Sequence, residues 1–292
     1  MGIRIGISGW RYAGWRGRFY PKGLRQASEL AFASRAVQTI EINGTHYSLQ
    51  SREAFSLWRD QTPPGFVFAI KGSRYLTHML RFRDEAATGG LSNFFAQGIL
   101  VLNEKIGPIL WQFPPNFSFH AEQFEHFLSV LPRDTEAAAS LAERHDGRVK
   151  DPCVVIDKKR RLRHAVEIRH DSFRDVAFVR LLRKYGVALV VSDTTEPWPC
   201  VEDVTAPFVY IRLHGTQTKY AGEYADDALH RWAQRVETWA AGSQPADARV
   251  IAAGLEPARR GSRDVYCYFD NDVKSQAPFD ARRLMDRMGL SV

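Results

Sequence analysis

The chain has 292 residues, 45% of them hydrophobic and 25% charged, with a formal net charge of +7. This composition excludes a disordered chain, and the length suits one large domain or two ordinary ones. No apolar run reaches the ~18 residues of a membrane helix, so no membrane partner is expected, and the positive balance favours anionic partners without singling out nucleic acid.

The first residues enter a strand-like run directly, without the charged and apolar segments of a secretory leader. Cys153, Cys200 and Cys267 are odd in number and widely spaced, so they read as reduced thiols of a cytoplasmic protein rather than as a disulfide framework or zinc site. Strand patterns are expected at 3–9, 39–43, 66–71, 108–113, 164–170, 187–193, 208–214 and 265–271. A loop at 10–21 follows the first run and interleaves Trp10, Tyr12, Trp15, Phe19 and Tyr20 with Arg11, Arg16 and Arg18. It suits either a packed lid or an aromatic and cationic platform for nucleic acid.

Helical spacing of i, i+3, i+4, i+7 appears at Leu91, Phe94, Phe95 and Leu102, and again at Phe124, Phe127, Leu128 and Leu131. It returns at Phe178, Leu181, Leu182 and Tyr185, most clearly at Leu229, Trp232, Val236 and Trp239, and finally at Ala281, Leu284, Met285 and Met288. Residues 132–163 form a long charged insertion that includes Lys158, Lys159, Arg160, Arg161 and Arg163, expected to be a solvated loop or, as the alternative, an electrostatic contact for nucleic acid. Residues 194–207 hold Pro197, Pro199 and Pro207 and are expected to link two strands without a helix.

Eight strands alternating with helices predict a single (β/α)8 TIM barrel spanning 1–292. The first strand ends in Gly6-Ile7-Ser8-Gly9-Trp10, which lacks the glycine-rich phosphate loop that would signal an open doubly wound sheet. Active sites of such barrels lie at the C-terminal strand ends, and alternation along each strand decides which side chains face the axis. The apolar residues around each polar one turn Glu41, Asn43, Lys71, Gln112, Glu167, Arg169, Asp193, Arg212, His214 and Asp270 inward, with Ser8 and Tyr268.

This layer is either an ion-pair network plugging the barrel or a site. Glu41 and Glu167 as a glycosidase pair would need to bridge the second and fifth strands. Ser8 or Ser192 beside His214 lies in no nucleophile-elbow motif. A metal held by carboxylates and histidines is opposed by Lys71, Arg169 and Arg212, and no cofactor is implied. The same three cations favour a small phosphate- or carboxylate-bearing ligand, with Glu167 and His214 as the acid/base pair and Glu41, Asn43, Gln112, Asp270, Trp10 and Tyr12 positioning it.

Several motifs, in order, resemble one family. They are Gly9-Trp10-Arg11-Tyr12 with Phe19-Tyr20-Pro21, Glu41-Ile42-Asn43 with His46-Tyr47, and Lys71 with Thr77-His78. Gln112-Phe113-Pro114-Pro115, Glu167-Ile168-Arg169-His170, Tyr210-Ile211-Arg212-Leu213-His214-Gly215 and Tyr268-Phe269-Asp270-Asn271 complete the set. Together they are similar to the YecE-like proteins, domain-of-unknown-function family 72. The resemblance implies a TIM barrel and no particular activity; at fold level it extends to xylose isomerase and endonuclease IV, which is analogy only. His46 stands where that pattern commonly has an aromatic, and Asp270 where it commonly has Asn.

Overall fold

The computed structural model describes residues 2–82, 85–193, 198–215, 222–258, 260–271 and 275–292. In it eight parallel strands pair in sequence order and close on themselves. They are β1 (Ile3–Ser8), β2 (Thr39–Ile42), β3 (Val67–Lys71), β4 (Ile106–Gln112), β5 (His164–Glu167), β6 (Ala188–Ser192), β7 (Phe208–Leu213) and β8 (Asp264–Phe269). β1 pairs with β8 from Ile3 opposite Val265 to Ile7 opposite Phe269, which completes the ring. The expected TIM barrel is therefore the observed one. β4 starts earlier than its apolar pattern suggests, and Gly107 and Pro108 fall where the register against β3 shifts, a place that tolerates a residue without an N–H.

The helices are α1 (Glu29–Ala33), α2 (Gly44–Tyr47), α3 (Arg52–Gln61), α4 (Glu85–Ala96), α5 (Ala121–Val130), α6 (Thr135–Ala142), α7 (Val176–Tyr185), α8 (Asp226–Ala240) and α9 (Ala277–Arg287). Polar side chains start several of them: Ser51 accepts from Ala54 N–H at 3.1 Å, Asp134 from Ala137 at 2.9 Å and Asp175 from Ala177 at 2.7 Å. α7 ends on Gly186, whose φ of 63° suits the left-handed conformation that a side chain disfavours. Within the link from β6 to β7, residues 198–207 carry no helix, as the prolines predict; residues 194–197 of that expectation lie outside the described residues.

The insertion 132–163 departs from a plain solvated loop. α6 forms in it and packs its buried Ala138 and Ala142 against α4. The basic run that follows is matched by acids: Lys159 reaches Glu136 at 2.5 Å and Asp134 at 3.3 Å, and Arg160 pairs with Asp157. Arg163 turns toward the lower end of the barrel, where it bonds Asp264 at 2.6 Å and lies over the Phe208 and Tyr266 rings.

Two apolar layers result. The outer one packs helices on the barrel, and the inner one fills its axis with Val67, Ala69, Leu110, Ala165, Ala188, Val190, Phe208, Tyr210, Tyr266 and Tyr268. The inner filling is lopsided. β7 and β8 supply aromatic rings, and β3, β5 and β6 supply mostly alanine and valine, so large side chains from one side occupy the space left by small ones opposite. Tyr210 and Tyr268 lie with ring centroids 5.0 Å apart. Polar residues follow one step up each strand.

β1 approaches β2 so closely that a Cβ on Gly6 would lie 1.8 Å from the Thr39 carbonyl oxygen. Gly6→Ala is therefore expected to destabilise the fold by about 3 kcal/mol or more, whereas Gly147→Ala, where an added Cβ meets nothing within 4 Å, should stay within about 0.5 kcal/mol. Urea denaturation of the two variants checks this; equal midpoints would contradict the close packing.

Candidate functional site

The inner face of each strand changes from apolar to charged at its C-terminal end, and register aligns the change. Ser8 pairs with Glu41, Gln112 with Glu167, and Ser192 with Arg212. Arg212 reaches from β7 across the barrel and is 1% exposed. Its Nε and Nη2 donate to Glu41 at 3.2 and 3.0 Å, its Nη1 to Glu167 at 2.7 Å, and its Nη2 also to Asp270 at 2.8 Å. One guanidinium thus holds carboxylates from β2, β5 and the end of β8.

The other atoms of these carboxylates are also engaged. Glu41 accepts from Ser8 Oγ at 2.5 Å and from Tyr210 OH at 2.6 Å. Glu167 accepts from Gln112 Nε2 at 2.8 Å and Arg169 Nε at 2.9 Å. Burial alone would push the Glu167 carboxyl up, but Arg212, Arg169, His214 and Lys71 outweigh it and hold the carboxyl well below the usual range. Burial works against the Arg212 charge too, and Asp270, Glu41 and Glu167 more than restore it.

Above this floor lies a cavity of about 550 Å³. The first loop supplies Trp10, Arg11 and Tyr12; α2 and α3 supply His46, Tyr47 and Trp58; and the strand ends supply Asn43, Lys71, Gln112, Arg169 and Asp270. The expected site residues therefore divide. Trp10, Tyr12, Asn43, Lys71, Gln112, Arg169 and Asp270 line the cavity, whereas Glu41, Glu167, Arg212 and His214 do not.

Glu167 and His214, expected as an acid/base pair, lie in the floor and do not line the cavity. Glu167 is 2% exposed with both oxygens bonded, and His214 is fully buried, its Nε2 accepting from Arg212 Nη1 at 3.0 Å and its Nδ1 lying 3.3 Å from Ser192 Oγ. Glu41 and Arg212 likewise pair with each other, at 3.0 Å. Asp193, expected on the axis, shares the outward parity of Val191; it accepts from His214 N–H at 2.7 Å and from Tyr224 OH. Ser192 is the inward residue there.

Lys71 is 8% exposed, and among the described residues its Nζ has no carboxylate within 4.0 Å and no hydrogen-bond partner. Burial, and then Arg212, lower its pKa against the opposing pull of Glu41, Asp270 and Glu167. Arg169 is anchored through Nε to Glu167, and its guanidinium carbon lies 3.8 Å from the Trp198 ring centroid. Asn43 donates to Ser8 Oγ at 3.0 Å, while its buried Oδ1 has no partner among the described residues.

Two histidines register the field at this mouth. His46 Nδ1 donates to the Gly72 carbonyl at 2.8 Å; burial and then Lys71, with His78 and Arg212, push its pKa down to about 3 against that bond. His78 is pushed down to about 4 by burial and by Arg169, Lys71, Arg74 and Arg81. Among the described residues no group of three or more His, Cys, Asp or Glu side chains is arranged to hold a metal.

The first loop is a packed lid. Trp15 and Tyr20 are fully buried, Trp10 meets Trp58 edge to face at 5.4 Å, and Tyr20 OH donates to the Trp10 carbonyl at 2.6 Å. Sequence reasoning missed Tyr210, Trp58, Tyr47 and Trp198 as parts of the site. The first is hidden among core aromatics, and the others come from helices and a link whose approach to the mouth depends on tertiary packing.

A parallel eight-stranded barrel with a charged floor and a cavity at its C-terminal end defines a TIM-barrel protein. The profile of the family described as "Protein of unknown function DUF72" matches residues 4–292, and the chain belongs to that family. A DUF72 family protein of Thermotoga maritima is 22% identical, with 99% of this chain and 100% of that chain covered and a TM-score of 0.71. One from Enterococcus faecalis is 15% identical, with 100% and 97% covered and a TM-score of 0.69. No curated protein matches the chain. Among the described residues no helix is long and apolar enough to cross a membrane.

Replacing Arg212 would strand three carboxylates in the barrel. Arg212→Met is expected to cost about 3–5 kcal/mol at pH 7.5, as removal of one partner from a buried ion-pair network does. In the wild type the Glu167 carboxyl is depressed, so its contribution is complete above the usual value of 4.5 and is lost as pH falls below it. The cost of the substitution should therefore shrink toward pH 4, where the stranded carboxyls accept protons. Urea denaturation at both pH values checks this; a cost below about 1 kcal/mol at pH 7.5 would contradict the network.

Proposed function

We propose that this protein is an enzyme acting on a small phosphate- or carboxylate-bearing substrate at the barrel mouth. The observation that carries the reading is the cationic character of the cavity wall above a floor whose carboxylates are already bonded to protein cations and hydroxyls. Lys71 and Arg169 line the wall, and four cationic residues contribute to the depressed pKa of His78. Inside low-dielectric walls such a field concentrates anions. Arg169, fixed by Glu167 and Trp198, is pre-oriented to hold an anionic group. The buried Asn43 Oδ1 calls for a donor, which a substrate hydroxyl provides.

The acid/base chemistry falls to groups that line the cavity. Lys71 is a base where the amine is unprotonated, and Asp270 is the carboxylate that touches both the Arg212 network and the cavity. Nucleic acid as the partner has less support. The first-loop aromatics are largely buried against one another, and Lys159 and Arg160 are paired with acids.

Thermal melts in a phosphate series at fixed ionic strength test this reading. Bound anion at a concentration 100-fold above its dissociation constant should stabilise the wild type by about 2.7 kcal/mol. Arg169→Gln should remove most of that gain, and Arg160→Ala, in the insertion, should retain it. Equal responses in wild type and Arg169→Gln would overturn the anion site. Tight binding of a DNA duplex with a steep loss of affinity in salt would favour nucleic acid instead.

A further inference from the structure

The protein contains two buried lysines with opposite surroundings. Lys105 is 5% exposed, and its Nζ donates to the carbonyls of Arg59 at 2.6 Å and Thr62 at 2.7 Å and to Thr62 Oγ1 at 3.0 Å. All three ammonium protons have acceptors, which is how a structural buried lysine is housed. Lys71 is 8% exposed and has no such acceptors among the described residues. The nearby carboxylates Glu41, Glu167 and Asp270 are bonded to Arg212 instead. The Lys71 backbone is fixed, because its carbonyl accepts from Thr45 Oγ1 at 2.6 Å, and its side chain lines the cavity.

An amine that is desolvated, beside a guanidinium and unbonded by acceptors is the form in which lysine acts as a nucleophile. We propose that Lys71 condenses with the carbonyl carbon of a small 2-oxo carboxylate to form an imine. The proposal rests on the anion-site reading above and assigns it a substrate class and a covalent step.

The Lys71 Nζ lone pair forms the C–N bond as the carbonyl π pair moves to oxygen. That oxygen takes a proton and the nitrogen loses one, giving a carbinolamine. The hydroxyl then takes a second proton from the relaying carboxyl and leaves as water while the nitrogen lone pair closes the C=N bond, and the nitrogen's remaining proton returns to that carboxylate to leave the imine. The net change is amine plus ketone to imine plus water, with no oxidant or reductant. Asp270 is placed to relay these protons: it lines the cavity, Arg212 donates to its Oδ2, and no described residue donates to its Oδ1. Arg169 holds the carboxylate of the oxo acid. Protonation of the imine makes it an electron sink, so the reactions served are those that generate a carbanion next to the former carbonyl.

Borohydride trapping of the full-length protein tests the proposal, with pyruvate as the probe. Hydride addition to the imine carbon leaves a stable secondary amine, heavier than lysine by pyruvic acid less one oxygen atom. Peptide mass mapping should place this adduct on Lys71, formed about tenfold or more faster than on any exposed lysine. Acetone, which lacks the carboxylate, should label Lys71 no faster than the exposed lysines, and Asp270→Asn should slow labelling by pyruvate. Pyruvate that raises the wild-type melting temperature without labelling Lys71 would overturn the imine and leave the anion site standing. Pyruvate that does neither, in a protein that phosphate also fails to stabilise, would overturn both. Labelling spread evenly over the lysines would overturn the imine as well, and since the readout is on the wild-type chain it does not depend on any variant folding.

Discussion

A guanidinium buried at the centre of the barrel organises this protein. Arg212 is all but inaccessible, and Asp270, Glu41 and Glu167 surround its guanidinium and offset the cost of burying its charge. Glu167 in turn is held charged away from water chiefly by Arg212. The network ties β2, β5 and β7 to the end of β8 at one level, and Tyr210 OH connects that level to the aromatic filling below. The floor also anchors Arg169 above it, through the Nε bond to Glu167.

The mouth owes its character to that floor. With Glu41 and Glu167 turned inward and engaged, the groups facing the cavity include Lys71, Arg169, Arg11, His46, amides, aromatics and the partly engaged Asp270. The lopsided packing of the barrel contributes, since the rings of β7 and β8 occupy the axis below while the strand ends on the other side carry Lys71, Gln112 and Arg169. The first loop, α2 and α3 then wall one side with Trp10, Tyr12, Tyr47 and Trp58. Position at the C-terminal end, an apolar wall and a few oriented polar groups are the features expected of a small-molecule site.

Much of this was legible in the sequence because apolar residues alternate cleanly along the strands. Ile40 and Ile42 fix Glu41 inward, and Val166 and Ile168 do the same for Glu167. The inward expectation for Asp193 went against that rule: the residue has the outward parity of Leu189 and Val191, and its carboxylate meets Tyr224 outside the barrel. The rule could not separate floor from wall. Glu167 and Lys71 share the same inward parity, but one is captured by Arg212 from across the ring and the other is not, and strand alternation carries no information about partners on the far side. The helix α6 escaped because its buried face is built from alanines, and the first-loop aromatics looked like a platform because their mutual packing is a tertiary fact.

The central claim is that the floor leaves Lys71 as a buried amine without a carboxylate of its own, and titration of that amine measures it most directly. In protein labelled with ¹³Cε-lysine, the Lys71 resonance can be assigned by its absence from Lys71→Gln and followed with pH. Burial and the Arg212 charge place its midpoint below the ordinary lysine value of 10.5. A midpoint at or above 10.5 would mean that Lys71 is ion-paired within the floor, and the claim of a buried amine facing the cavity without a carboxylate partner would be wrong.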